Sequence, residues 1–127
     1  MFSVESWYKE RENKAGYAKI EGPNVHVIVT KTKLIIGRIT KTIYEDLFKP
    51  DEQVLLLADN PRISRRHLLI YFDYNKHEWY LQNYSKNPVF VNKQDITNSD
   101  PPVCISPIAA IQVDTEKFYF FQSREEN

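Results

Sequence analysis

Ile63-Ser64-Arg65-Arg66-His67 runs directly into Leu68-Leu69-Ile70-Tyr71-Phe72. A polar, doubly basic turn thus leads into an apolar, β-prone strand. Leu68, Ile70 and Phe72 fall on one face of that strand and Leu69, Tyr71 and Asp73 on the other, the period-2 pattern of a sheet residue run. The turn offers the hydroxyl of Ser64, the guanidinium forks of Arg65 and Arg66, and the imidazole of His67 where the strand begins. Such a turn presents donors to an anion while the strand behind holds it still. Two further stretches belong with it: Ile36-Gly37-Arg38 upstream, and Ser85-Lys86-Asn87-Pro88-Val89-Phe90-Val91-Asn92 downstream.

The rest of the chain reads as short strands between turn signals. Residues 17–21 form a strand closed by Gly22-Pro23-Asn24, residues 25–30 alternate with period 2, and residues 34–37 are expected to be a buried strand by their branched content. Residues 54–58 are a continuous apolar run, expected to be a core strand. Residues 68–73 and 78–83 make a hairpin around Tyr74-Asn75-Lys76-His77, with Trp79 and Leu81 sharing a face. Residues 89–91 form a strand followed by a turn at Asn92-Lys93-Gln94-Asp95. Residues 103–105, 108–113 and 118–122 complete the set, the last two joined by Asp114-Thr115-Glu116-Lys117. Residues 39–53 are a long connection, with one helical turn expected at 43–48; following Arg38 directly, it is expected to wall a site. No long helix and no internal repeat is present. The expected fold is all-β, a sandwich of two antiparallel sheets with its functional loops at one end. The expected organisation is a flexible lead-in at 1–16, one domain at 17–122 and a polar tail at 123–127.

Composition narrows the function. A chain of 127 residues fits one domain, and 42% hydrophobic with 13% aromatic residues suffices for a core without staples. Seventeen basic and seventeen acidic residues cancel, which argues against a dedicated nucleic-acid binder. Cys104 is the only cysteine, so there is no internal disulfide and no cysteine metal cage. Its reading is a cytosolic or nuclear setting. No apolar run approaches a bilayer span and no apolar signal core opens the chain. No metal, cofactor or membrane partner is therefore expected.

Gly37-Arg38, Ser64-Arg65-Arg66-His67 and Asn87-Pro88 with Val91-Asn92, in that order, resemble the forkhead-associated (FHA) domain, a phosphothreonine-binding β-sandwich. The resemblance runs from about residue 17 to 122. Tyr17-Ala18-Lys19-Ile20-Glu21-Gly22, Ile63-Ser64-Arg65-Arg66-His67 and Lys86-Asn87-Pro88-Val89-Phe90-Val91 look most like the FHA domains of forkhead-type transcription factors. The resemblance implies a phosphothreonine-containing partner protein, a nuclear location and a part in transcription regulation. It makes Arg38 the principal phosphate contact, Ser64 a second donor and Arg65 a further contact, and it assigns Lys86 and Asn87 to the peptide backbone. It makes His67 a brace for the loop, with Gly37 allowing close backbone approach. Arg66 is expected to face solvent or pack its stem on a neighbour. Pro88 departs from the family's usual glycine and pushes Asn87 toward extended geometry.

Two rival functions follow from the same residues. One is an FHA-fold scaffold or dimerisation module without phosphate dependence. The other is a hydrolase using Ser64 and His67 as nucleophile and base, which needs an orienting acid and an oxyanion site. No Gly-x-Ser-x-Gly elbow exists, because Gly16, Gly22 and Gly37 are the only glycines. Non-catalytic binding is the reading the sequence favours.

Overall fold

The computed structural model describes residues 18–40 and 48–123. The lead-in at 1–16 and the helical turn expected at 43–48 lie largely or wholly outside the described residues. Eleven strands form among the rest: β1 (Ala18–Gly22), β2 (Val25–Val29), β3 (Lys33–Gly37), β4 (Gln53–Leu56), β5 (Leu68–Asp73), β6 (Glu78–Asn83), β7 (Val89–Val91), β8 (Gln94–Ile96), β9 (Val103–Cys104), β10 (Ile108–Val113) and β11 (Glu116–Gln122).

They build two sheets. One has six strands in the order β2-β1-β11-β10-β7-β8, and the other five in the order β4-β3-β5-β6-β9. All pairs are antiparallel except β3 with β4, which run parallel in the register Leu34↔Gln53 to Gly37↔Leu56. That pair is the one departure from the purely antiparallel sheets expected from sequence. It also explains the long connection after Arg38, since a parallel pair cannot be closed by a tight turn and needs a crossover of about a dozen residues.

Alternation decides which side chains meet between the sheets. Ile20, Val89, Ile111, Val113, Phe118 and Phe120 point inward from the first sheet; Leu34, Ile36, Leu68, Ile70, Trp79 and Leu81 point inward from the second. Trp79 meets Phe120 edge-on with centroids 5.3 Å apart, a favoured aromatic geometry. Each such side chain, fully buried, contributes roughly 1.5–3 kcal/mol.

Two readings need correction. The apolar run at 54–58 is not a core strand: β4 is an edge strand, with Leu55 buried and Val54 and Leu56 exposed. A run of consecutive apolar residues carries no information on which face is covered. The segment Asn92-Lys93-Gln94-Asp95 is not all turn. Asn92 and Lys93 alone form it, both left-handed at φ 51° and 70°, and Gln94 already pairs with Val91 in β8. Consecutive positive φ values match the right-handed twist of the flanking strands, so a two-residue turn suffices. The last hairpin tightens likewise, with Val113 opposite Glu116 and Asp114 at φ 55°.

Candidate functional site

Gly37 ends β3 where two backbones nearly touch. A Cβ at this position would lie 1.8 Å from the carbonyl oxygen of Arg65 and 2.7 Å from its carbon. Only a residue without a side chain admits the basic turn so close. The same junction is stitched by main-chain bonds: Arg38 N–H donates to Ser64 O at 3.1 Å, His67 N–H to Ile36 O at 2.9 Å, and Leu57 N–H to Gly37 O at 2.9 Å. Arg38 therefore leaves a fixed backbone, half-buried, beside the turn that carries Ser64 and Arg65. Among the described residues its guanidinium forms no hydrogen bond or ion pair.

His67 is fully buried and braces the turn from below. Its Nδ1 accepts the backbone N–H of Ser64 at 2.9 Å, which places the ring proton on Nε2. Burial holds its pKa below the ordinary value, against the main chain of Asn87 and the charge of Asp114, both of which favour the charged form. Nε2 meets no hydrogen-bond partner among the described residues. The ring thus engages the main chain of Ser64 and not its hydroxyl, an arrangement unlike that of a nucleophile and its base.

The loop between β6 and β7 is tied to this turn twice. Ser64 Oγ donates to Ser85 Oγ at 2.9 Å, and Asn87 Nδ2 donates to Arg62 O at 2.7 Å. Behind these bonds stands Asn83, almost completely buried. Its Nδ2 donates to the carbonyls of Asn87 (3.0 Å) and Ile96 (2.9 Å), and its Oδ1 accepts from Ser85 N at 2.8 Å. Ser85 Oγ also accepts from Asn87 N at 3.1 Å. Lys86 projects from the middle of this frame, exposed. Asn83 and Ser85 were given no role from sequence; their signal was present only as two small polar residues flanking an exposed tyrosine at the end of a strand.

Of the two placements expected for Arg66, facing solvent or packing on a neighbour, the structure shows the side chain held against neighbours, and by its guanidinium rather than its stem. It forms a two-pronged ion pair with Glu52, Nη1 to Oε1 at 2.7 Å and Nη2 to Oε2 at 2.9 Å. Its guanidinium also lies 5.9 Å from the ring of Phe48 and 5.8 Å from that of Tyr84. Glu52 is buried, and its Oε1 also accepts from Lys49 N at 2.9 Å. The guanidinium holds the carboxyl down at about 2, against burial, which pushes it up. One arginine thus joins the end of the β3–β4 connection, the basic turn and the start of the β6–β7 loop. Arg62 is also engaged, with Nε donating to Asp114 Oδ1 at 2.8 Å. Asn60 Nδ2 donates to the other oxygen of that carboxylate at 2.7 Å, and these two bonds, Asn60's first, hold Asp114 below its ordinary range.

The site residues expected from sequence therefore gather at one end of the sandwich. Gly37, Arg38, Ser64 and His67 meet directly, and Lys86 and Asn87 join through Ser85 and Arg62. Arg65 is exposed on the same turn. Of Arg62, Arg65 and Arg66, the first and third serve structural ion pairs. Among the described residues no group of three or more histidine, cysteine or acidic side chains is placed to hold a metal ion.

The structure is a two-sheet sandwich that presents a braced, basic turn beside an arginine-bearing loop at one end. The FHA-domain family matches residues 34–113, more than half of the chain, and the protein belongs to that family. Its relatives include the transcriptional activator FHA1 of Nicotiana tabacum, 26% identical over 107 residues that cover 84% of this chain and 49% of the tobacco protein. The FHA domain-containing protein FHA1 of Arabidopsis thaliana is 25% identical over 107 residues, covering 84% of this chain and 41% of that protein. The chain spans less than half the length of either relative. Among solved structures, the N-terminal FHA domain of S. cerevisiae Rad53p in complex with a phosphothreonine peptide matches with a TM-score of 0.62 at 14% identity, over 84% of this chain and 94% of that one.

Proposed function

We propose that this domain binds a phosphothreonine-containing segment of a partner protein and catalyses no reaction. The observation that carries the reading is Arg38: a half-buried guanidinium without an acid partner among the described residues, held beside Ser64 by the Arg38–Ser64 main-chain bond and the glycine before it. A guanidinium fork suits two phosphate oxygens at once. Ser64 supplies the second contact. Its hydroxyl donates to Ser85 in the unliganded state, and both groups are rotors that donate and accept. Turning them reverses the bond, so that Ser85 donates to Ser64 and the Ser64 O–H is released toward the phosphate. Arg65 and Lys86 add positive charge around the same point. Asn87 keeps its side-chain oxygen for the peptide main chain, while its amide nitrogen is committed to Arg62. Pro88 suits this arrangement, because it biases Asn87 toward extended backbone.

Support comes from the family and from the Rad53p domain, whose structure contains a phosphothreonine peptide. A place in transcription regulation, in the nucleus, is the further reading. It rests on the tobacco transcriptional activator and on the forkhead-type resemblance of residues 17–22 and 63–67. Localisation of a fluorescent fusion in its native cell tests that part separately; a cytosolic signal overturns it.

The binding reading is tested by selecting flanking residues from an oriented phosphopeptide library, then titrating one peptide in three forms by calorimetry. The phosphothreonine form should bind and the unphosphorylated form should not. Phosphoserine should bind roughly fourfold more weakly, because it lacks one methyl worth about 0.8 kcal/mol on burial. Equal affinity with and without phosphate would identify a phosphate-independent scaffold.

A further inference from the structure

The outer face of the six-stranded sheet departs from what an antiparallel sheet with one solvated face should show. Outward positions on such a sheet are ordinarily polar. Here β10 and β11 present Ile108, Ala110, Tyr119 and Phe121 outward, in the registers Ile108↔Phe121 and Ala110↔Tyr119. Ile108 is 60% exposed and Tyr119 51%. Phe90, beside Gln112 across the β10–β7 pair, continues the stripe.

The stripe is also concave. A groove of about 610 Å³ runs over it, with Phe90, Ala110 and Tyr119 among its walls and Lys93 and Lys117 on its rim. No carboxylate lines it. Neither lysine forms an ion pair among the described residues. Three neighbouring carboxylates lie outside the lining: Glu21, opposite Tyr119, is engaged by Lys19 and His26; Asp95 sits on β8 opposite Phe90; and Glu116, beside Lys117 on β11, alternates to the other face of the strand. An apolar floor between two uncompensated ammonium groups marks an interaction surface and specifies its occupant's charge.

We propose that this groove docks an extended, acidic segment of a partner protein, one that inserts a large apolar side chain over Ala110 and sets carboxylates against Lys93 and Lys117. Ala110 is the one small outward residue between Phe90 and Tyr119, so it forms the floor that such a side chain fills. A second copy of this chain fits less well: a two-fold pairing sets a patch against itself and brings lysine to lysine. The groove is independent of the phosphate-reading loops, since none of Arg38, Ser64, Arg65, Lys86 or Asn87 lines it.

The test uses the full chain, ¹⁵N-labelled, and a defined probe set. The probes are unphosphorylated twelve-residue peptides carrying one Leu, Phe or Trp among Asp and Glu, with matched controls in which Lys replaces every acid. The acidic peptides should shift the amides of Ala110, Gln112, Lys117 and Tyr119, leave those of residues 62–67 unmoved, and bind at least tenfold more tightly than the basic controls at low salt. Lys93→Glu with Lys117→Glu should reverse that preference, and Ala110→Glu should abolish binding. A melting curve for each variant shows that the fold is retained, and the charge reversal stands as evidence if Ala110→Glu does not fold. Equal binding of acidic and basic peptides, shifts elsewhere on the surface, or no shifts at all would overturn the proposal. So would concentration-dependent self-association that the acidic peptides fail to reverse. None of these outcomes bears on phosphothreonine recognition, which the phosphopeptide titration decides.

Discussion

Gly37 is where one atom decides the site. A methyl there would overlap the Arg65 carbonyl, and both partners are main chain, so neither can rotate away. Gly37→Ala should lower stability by at least the ~1–3 kcal/mol typical of overpacking and should weaken phosphopeptide binding with it. A thermal melt checks the first part; an unchanged melting temperature would mean the junction relaxes cheaply. His67 acts at the same scale. His67→Ala removes the acceptor of the half-buried Ser64 N–H, for a cost of about 1–3 kcal/mol. The wild-type imidazole also makes stability pH-dependent. Its folded pKa lies below the unfolded value near 6.5, so the unfolded chain binds the extra proton first. The contribution is complete above about pH 6.5 and is lost as pH falls from there through the folded pKa. Denaturant midpoints between pH 7.5 and 5 should fall in wild type and fall less in His67→Ala; parallel curves would show that His67 titrates normally. Sequence named Gly37 from its residue type at the end of a strand, and His67 through the family resemblance. It could not name Ser85 or Asn83, whose work depends on partners brought together only by folding.

At the scale of elements, the connections carry the consequence. The β3–β4 crossover, the basic turn and the β6–β7 loop come from separate parts of the chain, and Arg66 holds all three. Removing it strands Glu52 as a buried, unpaired carboxylate. Arg66→Met should therefore cost up to about 3–5 kcal/mol. The pair also fixes an acid limit. With Glu52 at about 2 against an ordinary 4.5, its stabilisation is present above about pH 4.5 and disappears as pH falls toward 2. Urea titrations at pH 7 and pH 3 should show a smaller Arg66→Met penalty at the lower pH, and an equal penalty would mean the ion pair contributes little beyond packing. This clasp was not legible in the sequence. Glu52 and Arg66 are fourteen positions apart, and nothing in either neighbourhood separates a paired arginine from a solvated one. The strands were legible wherever alternation met a strong turn signal, as at Leu68–Asp73 and Glu78–Asn83. They were misread where that logic fails, at the edge strand β4 and at β8, whose Gln94 and Asp95 have weak β preference and pair because a two-residue turn delivers them.

For the whole molecule, charge and topology answer different questions. A net charge of zero gives no long-range attraction to a polyanion, so recognition of an anion has to be local. The fold supplies that locality by bringing the ends of β3, β6 and the start of β5 to one edge of the sandwich, where Arg38 stands without an acid partner among the described residues. Substituting Arg38 removes no core volume, so it separates recognition from folding. The decisive measurement is a calorimetric titration of the best library-selected phosphothreonine peptide into wild type, Arg38→Ala and Arg38→Lys at one fixed salt concentration, with a melting curve for each. The account predicts three superimposable melts, a loss of about 2–5 kcal/mol of binding in Arg38→Ala, and partial recovery in Arg38→Lys, which keeps the charge without the planar fork. Wild-type affinity in a folded Arg38→Ala protein would contradict it.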